Sequence, residues 1–219
     1  MENISNKIGH YHPSYANPCE LFCALDLPKV LQNLADFQGI KKESFARILD
    51  SAHIRDYDKD NIICYKGECV DVILYLFHGS IKAFKVDKYN REAVVNLYAV
   101  ECAINGVSPI INYDTICDGV AKNTLQALES CRVLSIKSDV FKDLLRDDIV
   151  LANNILRQAN YALNELNYFT EISLMDSHAK VRALLLRNPN IFKKVSKKLI
   201  ASLLNMSQET LSRILQEIS

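Results

Sequence analysis

From Asp148 to Met175 the chain runs without glycine or proline, and within that stretch Ile149, Leu156 and Leu163 recur seven apart while Ala152, Ala159 and Leu166 supply a second seam. Heptad spacing places these residues as one apolar stripe on a single long α-helix, and the alanines on it admit a close neighbour. A helix that is apolar over about half its surface has to pack against something. The candidates are a second copy of the same helix, making Ile149, Ala152, Leu156, Ala159, Leu163 and Leu166 dimerisation residues, or the remainder of its own chain. A lone long helix between two segments of different texture suits the first.

Upstream the texture is that of short strands. Asn61–Tyr65, Val72–His78, Ser80–Val86, Ala93–Val100, Thr124–Leu128 and Arg132–Ile136 are rich in β-branched and aromatic residues. Bends at Lys66-Gly67-Glu68, His78-Gly79-Ser80, Asp87–Arg91 and Glu129-Ser130 separate them. Strands repeating at such intervals predict an antiparallel sandwich or barrel. The stretch Ala103–Asn123 has weak periodicity and reads as a long loop. Before the strands, Leu25–Ala52 shows helical spacing broken at Gly39, and residues 1–24 read as an irregular arm. After them, Ser138-Asp139 opens a short helix. The fold class is therefore α+β, with an arm at 1–24, a sensory domain of strands and flanking helices at 25–147, a dimerisation helix at 148–176 and a helical module at 177–219.

That last module differs in charge. Residues 177–219 hold eight basic side chains against two acidic ones, a net +6, whereas residues 1–176 sum to −6, so the overall charge of zero hides a split. A basic module on an acidic body suits contact with a polyanion, although charge alone also fits a solvated basic face. The pattern inside the module is more specific. Asp176-Ser177 is placed to cap a helix over Lys180–Leu186, which Asn188-Pro189 stops; Ser196 caps Lys197–Leu204 and Ser207 caps Gln208–Ile218. The last two helices are joined by Asn205-Met206-Ser207, with small Ala201 where they cross and Asn205 at the position that favours positive φ. Leu199, Ile200, Leu203 and Leu204 form one apolar face and Leu211, Ile214, Leu215 and Ile218 the other. This is a helix-turn-helix.

The second of its helices exposes Gln208, Glu209, Ser212 and Arg213. Arginine can fork to guanine O6 and N7, glutamate accepts from cytosine N4, and serine is small enough to admit a thymine methyl. Ser196, Lys197, Lys198 and Ser207 at the helix starts, with Lys193 and Lys194 upstream, are placed for phosphates. The expected partner is double-stranded DNA.

With these residues the chain resembles the Crp–Fnr family of transcription regulators. The resemblance rests on Tyr65-Lys-Gly-Glu68 with Leu74-Tyr75 and Gly79, on Leu125-Gln-Ala-Leu-Glu129, on the long helix, and on Ser207-Gln-Glu-Thr-Leu-Ser-Arg213. It runs from about Leu25 to the last residue. It implies an antiparallel β-roll (a double-stranded β-helix, like a cyclic-nucleotide-binding domain), a homodimer, and RNA polymerase as a partner if the protein activates. Glu209, Ser212 and Arg213 resemble the fumarate–nitrate reduction branch, which implies a palindromic TTGAT-like site.

The departures from the family narrow the signal. The cyclic-nucleotide cassette has a Gly-Glu pair and an Arg-Ser/Thr for the phosphate; here the stretches read Ala103-Ile-Asn-Gly-Val107 and Asp118-Gly-Val-Ala-Lys-Asn-Thr124, without arginine. A phosphodiester needs a guanidinium or a tight amide cradle. Cyclic AMP is not expected, Lys122 being the one partial substitute. The fumarate–nitrate regulator's cluster takes three closely spaced N-terminal cysteines and one from the barrel, whereas this arm offers Cys19 and Cys23 alone. A four-thiolate site would draw on Cys19, Cys23 and two of Cys64, Cys69, Cys102, Cys117 and Cys131. A thiol–disulfide switch (Cys19, Cys23, Cys102, Cys117 and Cys131) and haem on His10, His12, His53 or His78 stay open beside it, so the cofactor and any metal stay unassigned. The family's wing after the reading helix has no evident counterpart before Ser219.

Other classes are disfavoured. Eleven glycines and prolines in 219 residues, with 49% apolar residues, exclude a disordered or collagen-like chain. No window approaches the ~18 apolar residues of a membrane span, and the first residues lack a secretory pattern. Seven scattered cysteines fit reduced thiols in a cytoplasmic protein. No nucleophilic triad, carboxylate pair or histidine set at ligand spacing suggests an enzyme. The rival function is a relative that has lost DNA binding and serves as a ligand-binding or protein-interaction module.

Overall fold

The computed structural model describes residues 27–32, 34–99, 110–187, 189 and 191–218. Seven strands are described: β1 (Ala52–Tyr57), β2 (Ile62–Cys64), β3 (Val72–His78), β4 (Ser80–Val86), β5 (Glu92–Ala99), β6 (Thr124–Ala127) and β7 (Cys131–Lys137). They form two antiparallel sheets, ordered β1-β7-β3 and β2-β6-β4-β5.

β3 shows how the layers are arranged. Its residues Val72–His78 read almost continuously apolar because both faces are covered. Ile73, Tyr75 and Phe77 point to the helices, while Leu74 and Leu76 point into the roll. β7 does the same, with Leu134 and Ile136 outward and Cys131 and Val133 inward. The roll interior is completed by Cys64, Ile81, Ala83, Ile111, Leu125 and Ala127.

The outer face of the three-stranded sheet is covered by α1 (Leu27–Gln32), a 3-10 segment (Ala35–Phe37), α2 (Lys42–Ser51), α4 (Ser138–Asp147) and the first half of α5 (Ile149–Ser173). Gly39 (φ 73°) makes the break between the 3-10 segment and α2 that its position in the sequence predicts. A short α3 (Thr115–Asp118) lies in the stretch read as a loop. β1 was not foreseen; α2 passes straight into it, and its sequence Ala-His-Ile-Arg-Asp-Tyr is half-polar because it is an edge strand paired with β7 alone.

Beyond α5 come α6 (Ser177–Arg187), α7 (Ile191–Lys194), α8 (Lys197–Leu203) and α9 (Gln208–Ile218). α6 folds back beside α5, with the Tyr168 hydroxyl donating to the Ala183 carbonyl (3.2 Å) and Arg187 stacked on the Tyr168 ring at 4.3 Å. A third core joins Ile172, Val181, Leu184, Ile191, Ile200, Leu211 and Ile214 to Leu97 of β5, with Val94 and Leu128 packed against it. The C-terminal helices are thus seated on the four-stranded sheet.

Candidate nucleic-acid interface

The helix-turn-helix is assembled by local chemistry. The Ser196 hydroxyl accepts from the Leu199 amide (3.4 Å) and opens α8. Asn205 adopts φ 52° in the turn, the Met206 amide closes on the Ala201 carbonyl (2.9 Å), and Ser207 Oγ accepts from the Thr210 amide (3.1 Å) to open α9. Ala201 is buried at the crossing, as are Ile200, Leu204, Leu211 and Ile214. The serines the sequence placed beside phosphates therefore have their hydroxyls engaged in caps, while remaining exposed.

On the outer side of α9, Gln208, Glu209 and Arg213 are exposed and Ser212 is half-exposed. Backbone hydrogen bonding at the helix start and the Ser207 hydroxyl hold the Glu209 carboxyl below its ordinary value, so it is an acceptor. Lys197 and Lys198 are exposed at the start of α8. Two contacts brace the unit that the sequence reading missed. Lys180 of α6 donates to the Leu204 carbonyl (3.3 Å), and His178 Nε2 lies 3.3 Å from Glu217 Oε2 of α9. Such long-range pairs have no sequence periodicity to reveal them.

The apolar residues of α5 fall on two sides. Leu151, Ile155 and Ile172 are buried in the protein's own cores, whereas Ile149, Leu156, Leu163 and Leu166 are 70%, 68%, 58% and 52% exposed, with Ala152 and Ala159 partly exposed between them. Nothing in the described chain folds back over that side.

In the β-roll, a cavity of about 10 Å³ is lined by Cys64, Ile111, Asn112, Asp114, Ala121, Asn123 and Leu125. That is room for about one water, against the ~300 Å³ or more of an organic ligand site. The Lys122 ammonium is bound to Asp118, and its amide goes to Asp114 Oδ2 (2.8 Å). The Lys122 ammonium, the one partial substitute for the family's arginine, is therefore already neutralised by a neighbouring carboxylate.

Cys19, Cys23, His10, His12, Cys102 and the Ala103–Val107 stretch lie outside the described residues, as do the side chains of Lys193 and Lys194. Cys117 and Cys69 are exposed free thiols. Cys131 is buried, its thiol directed to the carbonyls of Ser80 (3.1 Å) and Glu129 (3.2 Å), and burial raises its pKa and that of Cys64, the latter to about 11. These environments favour thiol over reactive thiolate. No cluster of three or more metal-ligating side chains occurs among the described residues, and no helix there is long and apolar enough to cross a membrane.

Residues 54–148 match the family model of the cyclic nucleotide-binding domain. No curated protein matches the chain. Among solved structures, FixK2 from Bradyrhizobium japonicum is similar with a TM-score of 0.65 at 15% identity, over 76% of this chain and 84% of that one. A protein assigned to the Crp/Fnr family of transcriptional regulators from Eubacterium rectale gives 0.60 at 16%, over 81% and 83%. The c-di-GMP-responsive global regulator CLP of Xanthomonas campestris gives 0.57 at 16%, over 81% and 91%. At these identities the likeness is one of fold. The chain has a β-roll of the cyclic-nucleotide-binding type followed by a long helix and a helical C-terminal unit, the fold of Crp/Fnr regulators.

Proposed function

We propose that this protein is a sequence-specific DNA-binding transcription regulator of the Crp–Fnr type, working in the cytoplasm as a homodimer. The apolar outer stripe of α5 pairs with its counterpart in a second copy, and the two α9 helices enter successive major grooves about one helical turn apart. Arg213 and Glu209 read base edges, Lys197 and Lys198 take phosphates, and the target is a palindrome with TTGAT-like half-sites. RNA polymerase is the further partner where the protein activates. Residues 25–147 are the sensory domain, 148–176 the dimerisation helix and 177–219 the DNA-binding domain.

The observation that carries this reading is the outward placement of Arg213 and Glu209 on a capped helix-turn-helix within a segment of net charge +6. The pairing of Lys122 with Asp118 and the lack of an arginine in the Asp118–Thr124 stretch support a signal other than cyclic AMP.

Arg213→Ala should lose its preference for the palindrome over random duplex while sedimenting like the wild type. Lys197→Ala with Lys198→Ala removes two phosphate contacts from each of the two protomers, so it should weaken all duplexes alike and lower the salt slope by about four. Both are read by fluorescence anisotropy over a salt series. Unchanged sequence preference in Arg213→Ala overturns the assignment of α9 as the reading helix. No binding to any duplex by the wild type at physiological salt replaces the whole reading with the interaction-module alternative.

A further inference from the structure

Beneath α5 the core holds a carboxyl group with no provision for its charge. Asp36, in the 3-10 segment Ala35–Phe37, is 1% exposed, and the facing hydroxyl belongs to Tyr75 of β3, which is fully buried. Both carboxyl oxygens and the Tyr75 hydroxyl lack a well-formed hydrogen bond. Tyr75 and Phe37, the residue next to Asp36, belong to the apolar core that also holds Leu31, Leu151 and Ile155, their two rings lying 5.6 Å apart. An ionised carboxylate in such a place is costly, because among the described residues only the Tyr75 hydroxyl faces it and no cation is paired with it.

The segment carrying Asp36 is also what holds α5. Asn154 of α5 donates to the carbonyls of Asp36 (3.1 Å) and Gln38 (2.9 Å), and Arg157 donates to Asn154 Oδ1 (2.6 Å). The same segment borders an open cleft of about 360 Å³, lined by Gln32, Phe37, Gln38 and Lys42 among others. That cleft gives the segment somewhere to go.

The titratable group from β3 is Tyr75, with Tyr113 acting on Tyr75 in turn. From α5 there is Arg157, whose guanidinium is engaged by Asn154. At the junction of α2 with α5, the Lys41 ammonium donates to the Asp147 carbonyl (2.7 Å) and the Asp148 carboxyl takes the Lys41 amide (2.8 Å); α1 contributes Lys29 and α2 Lys42. On the Asp36 proton itself, burial acts first, pushing the group from 3.8 up to about 7, and the Tyr75 hydroxyl opposes by favouring the carboxylate.

We propose that Asp36 is a proton-operated latch on the long helix. With its proton, the carboxyl stays in the core, and the segment clasps α5 through Asn154. Without it, the carboxylate leaves towards the neighbouring cleft, the clasp opens, and the first half of α5 loosens. The latch does not depend on α5 being the pairing helix of the proposed dimer.

The test is hydrogen exchange of the full chain, corrected for the intrinsic pH dependence of exchange, with amides of residues 150–158 as the readout. Between about pH 6 and pH 8 the wild type should lose on the order of tenfold in protection there. Asp36→Asn should hold the protected level throughout. Tyr75→Phe removes the group that favours the carboxylate, so its transition should move to higher pH; this variant decides the matter if Asp36→Asn fails to fold. A wild-type profile that is flat, an Asp36→Asn profile that follows the wild type's transition, or a Tyr75→Phe transition that is unmoved or moves down overturns the latch. Sedimentation of the same samples keeps the two readings apart. A monomer at every pH that still shows the Asp36-dependent transition sinks the pairing reading alone. A dimer at every pH whose exchange is flat sinks the latch alone.

Discussion

Asp148 and Asp36 are both buried carboxyls beside α5, and their surroundings give them opposite tasks. Burial alone would raise Asp148, but hydrogen bonds from the Ser44 hydroxyl and the amides of Lys41, Leu151 and Val150 outweigh it and hold the group below 3.8. It is the N-cap of α5 and ties that helix to the start of α2. Asp148→Ala should cost on the order of 1–2 kcal/mol in a urea titration, from the lost cap and the orphaned Lys41 amide. Because the folded pKa is depressed, the stabilisation is fully present above 3.8 and disappears as pH falls through the folded value. The variant should therefore be less sensitive to acid than the wild type over that range. Asp36 has the opposite sign: its folded pKa is raised, so the wild type loses stability from about pH 4 up to about pH 7. The caps at Ser196 and Ser207 and the positive φ at Asn205 were legible in the sequence, since each bond is made within three or four residues. Asp36 was not, because Ala-Asp-Phe looks like an ordinary exposed turn until Tyr75 and α5 close over it.

At the scale of the element, α5 is a helix with two apolar sides serving different purposes. The inner side, with Leu151 and Ile155, packs on the strand-covering core, while Ile149 and the outer leucines remain in water. Leu156→Glu with Leu163→Glu should leave the fold intact, since both side chains are more than half exposed, yet convert a dimer to a monomer by sedimentation velocity. A variant still dimeric at micromolar concentration rejects the stripe as the interface. The heptad was readable because seven-residue spacing is a property of the chain itself. β1 was not, because α2 ends at Ser51 and the strand starts at Ala52 with no turn residue to mark the change. Its pairing with β7, from Ala52 with Ile136 to Tyr57 with Cys131, comes from residues about eighty positions away.

Across the whole molecule, the contact between Leu97 and the C-terminal helices connects the β-roll to the helix-turn-helix. Leu97 is 2% exposed and belongs to the core of α6, α8 and α9. Leu97→Ala should cost about 2–4 kcal/mol, and hydrogen exchange should show the loss in α8 and α9 while the roll core around Ile81 and Leu125 keeps its protection. Equal loss in both regions counts against a separable seat. Short-range chemistry along the chain decided where α8 and α9 begin, that strands β2 to β7 form, and how the turn between α8 and α9 is made, because capping, turn conformation and side-chain period act over a few bonds. Chain closure decided the rest: that the strand-like run of β5 is covered by a helix a hundred residues later, that Cys64, Asn112 and Leu125 come to line one cavity of about 10 Å³, and that Asp36 loses its water. Burial and cavity volume belong to neighbours that only the third dimension brings together.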